Sequence, residues 1–398
     1  TVMLINLIDG LDYQLLPLSI GTISTEWQVD PASFSAAVSA GFAGAALGTP
    51  IGGWMGDRWG RKAAILTGMV LFGLMTVAQA WCVSPSQLIG ARLAGGIGLG
   101  ACLPPMLALV IESVGARRRG TAVALTMLSV PLGLTLAGVI VPRLNLLLGW
   151  TTSFVVCACL IFAIAALAFF SLTESRRDGP AVVSDAPLVP WSRKTATLIA
   201  QIDIASILAM MGGIFLVYCA MSAALSWLPA FAYKQGFSQV VGGQAISFWS
   251  FSGIVGSLLA GWAVNRVGGA RASRFVVAGF SAAALISGLM LAAAGLVPAM
   301  LYISAAFTGV FANAAMTVIY AAAGESLPAK VRSNGIGVVT LAGKLGGIVG
   351  GASGVVMLAL PSLGIFFGVL AAISGVAALC LLKAGAAQSA REDATARM

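Results

Sequence analysis

The sequence contains no histidine, and only 9% of its 398 residues are charged. Without histidine, the commonest metal ligand and the usual titrating group near neutral pH are both missing, so any proton chemistry falls to carboxylates. The scarcity of charge excludes an ordinary soluble domain, in which roughly a quarter of residues are charged. Cysteine is sparse too: Cys82, Cys102, Cys157, Cys159, Cys219 and Cys380 are scattered through apolar segments. They read as small packing residues, not as a disulfide framework or metal ligands. No nucleophile, base and orienting group occur together, so no catalytic residues, metal or organic cofactor are expected. The run Gly95-Gly-Ile-Gly-Leu-Gly100 has the look of a nucleotide loop but lies inside an apolar stretch with no strand before it. Small residues there let helices approach closely.

What the chain has in abundance is hydrophobicity, at 59% of residues. Twelve apolar runs approach the ~20 residues a bilayer crossing needs: 2–24, 32–55, 63–82, 86–111, 120–142, 150–172, 205–228, 241–264, 273–294, 298–322, 334–357 and 362–382. The expected fold class is therefore an all-α polytopic membrane protein. The net charge of +9 could point to nucleic acid, but the position of the bases excludes it. Alternate loops collect eighteen of the 22 basic residues on one side, with Arg143 and Lys234 opposite and Arg92 and Lys344 inside spans. By the positive-inside rule both termini face the cytoplasm of a bacterial-type inner membrane. Thr1 already stands in an apolar stretch, so a short start is expected to precede it, and the first segment lacks the basic flank of a cleavable signal peptide.

A short, highly charged turn between two apolar runs is Gly53-Trp-Met-Gly-Asp57-Arg58-Trp-Gly60-Arg61-Lys62. A weaker copy, Gly261-Trp-Ala-Val-Asn265-Arg266-Val-Gly268, follows about 208 positions later. Glu112-Ser-Val-Gly-Ala-Arg117-Arg-Arg119 is echoed by Glu325-Ser-Leu-Pro-Ala-Lys330-Val-Arg332 at an offset of about 213. Two echoes at nearly one offset indicate duplication. The expected organisation is a six-helix bundle over 1–172, a polar cytoplasmic linker over 173–198, a second bundle over 199–382 and a tail over 383–398. Parallel six-helix repeats characterise one large class of transporters, with substrate held between the halves near midplane.

Gly53 to Lys62, with Arg92-Leu-Ala-Gly-Gly-Ile-Gly-Leu-Gly100 leading to Glu112, resembles the signatures of the major facilitator superfamily over the whole chain. The resemblance implies two pseudo-symmetric bundles whose second and eleventh helices meet across the halves. Glycines 44, 48 and 52 on one and 343, 347 and 351 on the other form smooth stripes at i, i+4 spacing, suited either to rocking or to plain close packing.

Charges inside the membrane are costly and face a cavity or a partner. Asp9 and Asp12 lie one turn apart on the first span. Ionising both in a low-dielectric site is costly, so the pair is suited to taking a proton, or one of them pairs with a base on a neighbouring helix. Lys344 stands about eleven residues into its span, roughly 16 Å deep at 1.5 Å per residue. It is suited to a carboxylate substrate or to acting as counter-charge to the acids. Arg92 is a second candidate cation or a partner for Asp9 and Asp12. Tyr13, Phe248, Trp249, Asn313 and Tyr320 together supply the mixture of apolar faces and hydrogen-bonding groups that suits an aromatic ligand. Asn313 and Tyr320 are seven apart, on one helical face.

Asp-Gly-x-Asp on the first helix, with Arg92, Pro104, Glu112 and Ser226-Trp-Leu-Pro229, is similar to the aromatic acid:proton symporters of the superfamily. This implies import of an aromatic carboxylate with protons, coupled through Asp9 and Asp12, by a carrier expected to act as a monomer. Leu11 and Tyr13 depart from the usual pattern, so the particular substrate does not follow. Asp57, Arg61, Glu112, Glu325 and Arg332 are candidate latches of an inner gate, with Asp57 meeting a helix N-terminus or a base. The rival on the same fold is a proton-driven exporter, but Ser129-Val-Pro-Leu-Gly133 to Gly138-Val-Ile-Val-Pro142 lacks the Gly-Pro step of that class. A transporter-like receptor would be expected to carry a larger signalling segment than the sixteen residues after Leu382.

Overall fold

A computed structural model describes residues 1–114, 119–172, 204–295, 297–326 and 332–396. The expected linker and the Arg117–Arg118 pair lie outside these residues. Among the described residues stand twelve long helices: α1 Val2–Trp27, α2 Ser35–Trp59, α3 Arg61–Ala80, α4 Pro85–Ser113, α5 Arg119–Leu148, α6 Trp150–Ser171, α7 Ile204–Lys234, α8 Gln239–Val267, α9 Gly269–Ala294, α10 Pro298–Ser326, α11 Arg332–Ala352 and α12 Leu363–Ala396. The eleventh span breaks at Ser353 into a short helix, Gly354–Ala359. The last helix continues beyond the expected end at Leu382, to Ala396.

Ten of these helices are long and apolar enough to cross a membrane by length and composition. Of the other two, α11 contributes the shorter apolar stretch Ile336–Ala352, and α1 carries Asp9 and Asp12, which lower its hydropathy.

The helices pair in the same way in both halves. α1 packs on α5, α2 on α4, α3 on α4 and α6; six helices later, α7 packs on α11, α8 on α10, and α9 on α10 and α12. The turn glycines repeat as well. Gly60 joins α2 to α3 at φ 96°, ψ 153°, and Gly268 joins α8 to α9 at φ 81°, ψ 154°. Only glycine adopts this region without strain, so both copies of the charged turn need it.

The glycines of α2 face their own half, not α11. A Cβ on Gly44, Gly48 or Gly52 would stand 2.0–2.2 Å from the carbonyl oxygens of Leu93, Ile97 and Ala101 on α4. Of the two readings of this stripe, the contacts match close packing: it lets two backbones touch within a bundle. On α11, Gly347 and Gly351 do face the other half, where they receive the ring of Phe42 on α2.

The halves meet through α1 with α7, α2 with α11 and α5 with α8. Gln14 donates to the Leu225 carbonyl at 3.0 Å, Thr22 to Gln239 Oε1 at 3.0 Å and Ser247 to the Thr135 carbonyl at 2.8 Å. Gly138 and Gly243 bring α5 and α8 into backbone contact. All these contacts lie at or beyond the middle of the helices, toward the end away from the basic turns, and they tie the halves together there.

Candidate functional site

Gly10 explains the spacing of the first-helix acids. A Cβ there would lie 2.1 Å from the Val130 carbonyl oxygen, and one on Gly133 would lie 2.0 Å from that of Leu7. Helix α5 therefore crosses α1 at Gly10, and Asp9 and Asp12 turn away from it into a cavity of about 110 Å³. Tyr13, Phe42, Gln79, Arg92 and Ser226 share its wall, so five helices, one of them from the second half, contribute.

Asp12 is 4% exposed and Arg92 8%. Arg92 Nη1 lies 3.0 Å from Asp12 Oδ2 and donates also to the Asp12 backbone carbonyl at 3.4 Å. Thr76 on α3 approaches the other carboxylate oxygen at 3.5 Å while bonding the Phe72 carbonyl at 3.0 Å. Two charges out of water need partners of this kind, because desolvation costs several kcal/mol per ion. Of the two readings of Arg92, the structure brings out the partner to a first-helix acid.

Asp9 lines the same cavity one turn away, within the field of Lys344. Lys344 reaches across the interface from α11 to α2, where it donates to the Ala45 carbonyl at 3.3 Å and to the Thr49 hydroxyl. Around it stand Phe42, edge-on to Tyr13 with centroids 5.2 Å apart, and Tyr218, whose ring lies against Gly343. Tyr320 lies within interaction range of Tyr218 and Thr340.

The other residues singled out from the sequence lie elsewhere. Asn313 donates to the Gly309 carbonyl of its own helix at 3.2 Å and tucks against Gly253 on α8. Phe248 is 47% exposed and stacks on Tyr302 at 5.1 Å. Trp249 is fully buried against Gly309 within the second half. None of the three lines the cavity. Glu325 accepts a 2.7 Å bond from Gly269 N–H at the start of α9; it binds two helices of one half, not the two halves to each other. Asp57 ends α2 and Arg61 begins α3, while the side chains of Glu112 and Arg332 lie outside the described residues. Sequence reasoning missed Gln14, Phe42, Thr49 and Tyr218. Gln14 carries a visible signal, a third polar residue within six positions of a membrane helix; a phenylalanine or threonine on such a helix carries none.

The sequence matches the family model described as Major Facilitator Superfamily over residues 2–297. It is 29% identical over 358 residues to the 3-(3-hydroxy-phenyl)propionate transporter of Escherichia coli (strain K12), covering 90% of this chain and 85% of that one. It is 26% identical over 389 residues to the 4-hydroxybenzoate transporter PcaK of Pseudomonas aeruginosa, again covering 90% and 85%. In architecture it superposes on the crystal structure of a D-xylose-proton symporter with a TM-score of 0.79 at 17% identity, covering 96% of this chain and 95% of that one.

Proposed function

The chain belongs to the Major Facilitator Superfamily of membrane transporters, and from that premise we propose that it imports a small aromatic carboxylate together with a proton. The observation that carries the reading is the charge set near one centre: Asp12 paired with Arg92, and Asp9 within electrostatic reach of Lys344 on the other half. Two carboxylates and two cations balance. A carboxylate substrate at Lys344 leaves one uncompensated negative charge in a low-dielectric site, which opposes closure. A proton on Asp9 restores neutrality, and the loaded carrier then rocks. Charge balance then requires one proton per monocarboxylate.

The two named relatives transport aromatic carboxylates, and the aromatic edges of Tyr13, Phe42 and Tyr218 beside Lys344 suit such a ligand. With the basic turns in the cytoplasm, the closed end faces outward and the described state is the one that releases substrate inward. Asp57, Arg61, Glu112 and Arg332 are the proposed latches of the inner mouth, while Glu325 fixes α9 to α10 within one half. The carrier works as a monomer in the bilayer, with the proton as coupling ion and no organic cofactor.

The test is uptake of radiolabelled 3-(3-hydroxyphenyl)propionate and 4-hydroxybenzoate into proteoliposomes under an imposed pH gradient, acid outside. Accumulation that a protonophore collapses is expected. Full accumulation by an Asp9→Asn, Asp12→Asn double variant would sink the proton-coupling assignment, and export driven by the same gradient would replace symport with antiport.

A further inference from the structure

The cavity that Asp9 and Asp12 face runs along the helices, not across them. Its wall extends from Asp9 to Pro17 on α1 and from Phe72 to Gln79 on α3, which at 1.5 Å per residue makes it about 10–12 Å long. The inner end lies at Ala45, whose carbonyl receives Lys344 at 3.3 Å. The outer end is polar as well. Gln79 is 1% exposed, and its Nε2 donates to the Met75 carbonyl at 3.3 Å, which leaves Oε1 without a hydrogen-bond partner among the described residues. Arg92 Nε, beside the contacts that hold Asp12, has none there either. Buried polar groups are ordinarily paired, so two open ones on the wall of one cavity point to a guest that reaches from the cation at the inner end to these atoms at the outer end.

Three glycines line the stretch between the two ends, and they differ in what requires them. A Cβ on Gly96 would stand 2.4 Å from the Gly41 carbonyl oxygen, and one on Gly95 would press on Met75 Cβ at 3.2 Å. Close packing of α4 on α2 and α3 accounts for both. Gly41 has no such reason, because a Cβ there would meet only Arg92 Cδ, at an ordinary 3.8 Å. Glycine weakens a helix interior relative to alanine, and position 41 lies inside α2. It stands one turn outward of Ala45, about 6 Å from the level at which Lys344 docks. An acid whose carboxylate lies at Lys344 has its spacer or ring at that height.

We propose that Gly41 is a specificity-determining residue: the side chain it lacks is room for the ring of an arylpropionate, and a methyl group placed there restricts the carrier to benzoate-length acids. The inference rests on the function proposed above. In 4-hydroxybenzoate the ring joins the carboxylate directly and stays closer to Lys344. Two methylenes in 3-(3-hydroxyphenyl)propionate carry the ring outward, level with Gly41 and toward Gln79. Small changes of volume at such a wall discriminate, since one methylene in an apolar pocket is worth about ten- to 200-fold. The effect is steric and does not draw on stability, which separates Gly41 from the glycines that the α2–α4 contact requires.

The experiment measures kcat/KM for 3-(3-hydroxyphenyl)propionate and 4-hydroxybenzoate in proteoliposomes of the wild type, Gly41→Ala, Gly41→Val and Gly53→Ala, together with melting temperatures in detergent. In Gly41→Ala the ratio of the longer to the shorter acid is expected to fall about tenfold, while the melting temperature stays at or above that of the wild type. Gly41→Val lowers the ratio further. Gly53→Ala, on the same helix but outside the cavity, keeps the wild-type ratio. An unchanged ratio in Gly41→Ala overturns the proposal. So does an equal loss for both acids, which would mean that the space serves movement of Arg92 and not cargo. A lowered melting temperature in Gly41→Ala overturns it too, by showing that packing requires glycine there, as does a wild type that moves only one of the two acids. If the wild type moves neither, the underlying reading fails with it.

Discussion

Arg92 grips Asp12 twice, at the carboxylate through Nη1 at 3.0 Å and at the backbone carbonyl of the same residue at 3.4 Å. The second contact ties α4 to the backbone of α1, so the pair fixes a helix position as well as balancing a charge. Removing one partner leaves the other charged and buried. Arg92→Gln is therefore expected to cost about 3–5 kcal/mol of stability, seen as a large drop in melting temperature in detergent. Adding Asp12→Asn to that variant neutralises the stranded carboxylate and should recover most of the loss; a double variant as unstable as the single one would show that Arg92 holds the fold by packing alone.

Asp9 and Asp12 should separate when replaced singly. Asp9→Asn keeps the Asp12–Arg92 pair and imitates the protonated state, so substrate exchange between the two sides persists while accumulation against a gradient is lost. Asp12→Asn strands the Arg92 cation and should impair stability and exchange together. Counterflow and pH-driven uptake measured side by side on both variants decide the matter, and gradient-driven accumulation by Asp9→Asn would move the proton site elsewhere.

The helices, their duplication and the buried charges were legible because each leaves a periodic or exceptional mark: apolar runs of bilayer length, two charged turns at one offset, single acids and bases where hydrocarbon forbids them. Which residues the charges meet was not legible. Arg92 is eighty positions from Asp12, and only the crossing of α1 with α4 joins them. The aromatic candidates show the limit from the other side. Phe248 and Trp249 are adjacent in sequence, yet one lies on the outside of the bundle and the other inside it, and helical phase alone could not say which neighbours either would find. Tyr218 has no neighbouring polar residue to mark it, and it acquires its place from Gly343, 125 positions later.

Lys344 has two possible employments, and they compete. In the described state it donates to the Thr49 hydroxyl and the Ala45 carbonyl, both on the opposite half. A substrate carboxylate must draw it from these partners. Lys344→Gln loses a charge-assisted bond of about 1.5–3 kcal/mol, so KM should rise by about one to two orders of magnitude. Thr49→Val keeps the cation and removes one competitor, so KM should fall by a few-fold. An unchanged KM in both variants would detach Lys344 from substrate.

Two neighbouring glycines on α2 should respond in opposite ways. A methyl on Gly52 would sit 2.0 Å from the Ala101 carbonyl oxygen, whereas one on Gly53 meets nothing within 4 Å. Gly52→Ala must push α2 off α4 and lower the melting temperature. Gly53→Ala should be neutral or gain up to about 1 kcal/mol, the ordinary advantage of alanine within a helix. Equal melting temperatures for the two variants would mean that α2 and α4 do not touch along this stripe.

Gly243 tests the seam itself. Its added Cβ would stand 2.4 Å from both the Gly138 carbonyl oxygen and Pro142 Cγ, atoms of the other half at the closed end. Nothing there can yield cheaply, because one obstacle is backbone and the other a proline ring. The relief available is separation of α5 from α8, which opens that end. Gly243→Ala should therefore bias the carrier toward its other state and slow turnover, even though the residue touches neither proton nor substrate. A cysteine at position 22, where Thr22 bonds Gln239 across the same seam, would report the shift. An impermeant maleimide added from outside should label Thr22→Cys faster in the Gly243→Ala background than alone. Unchanged labelling with unchanged uptake would show that the α5–α8 contact does not govern which side is open.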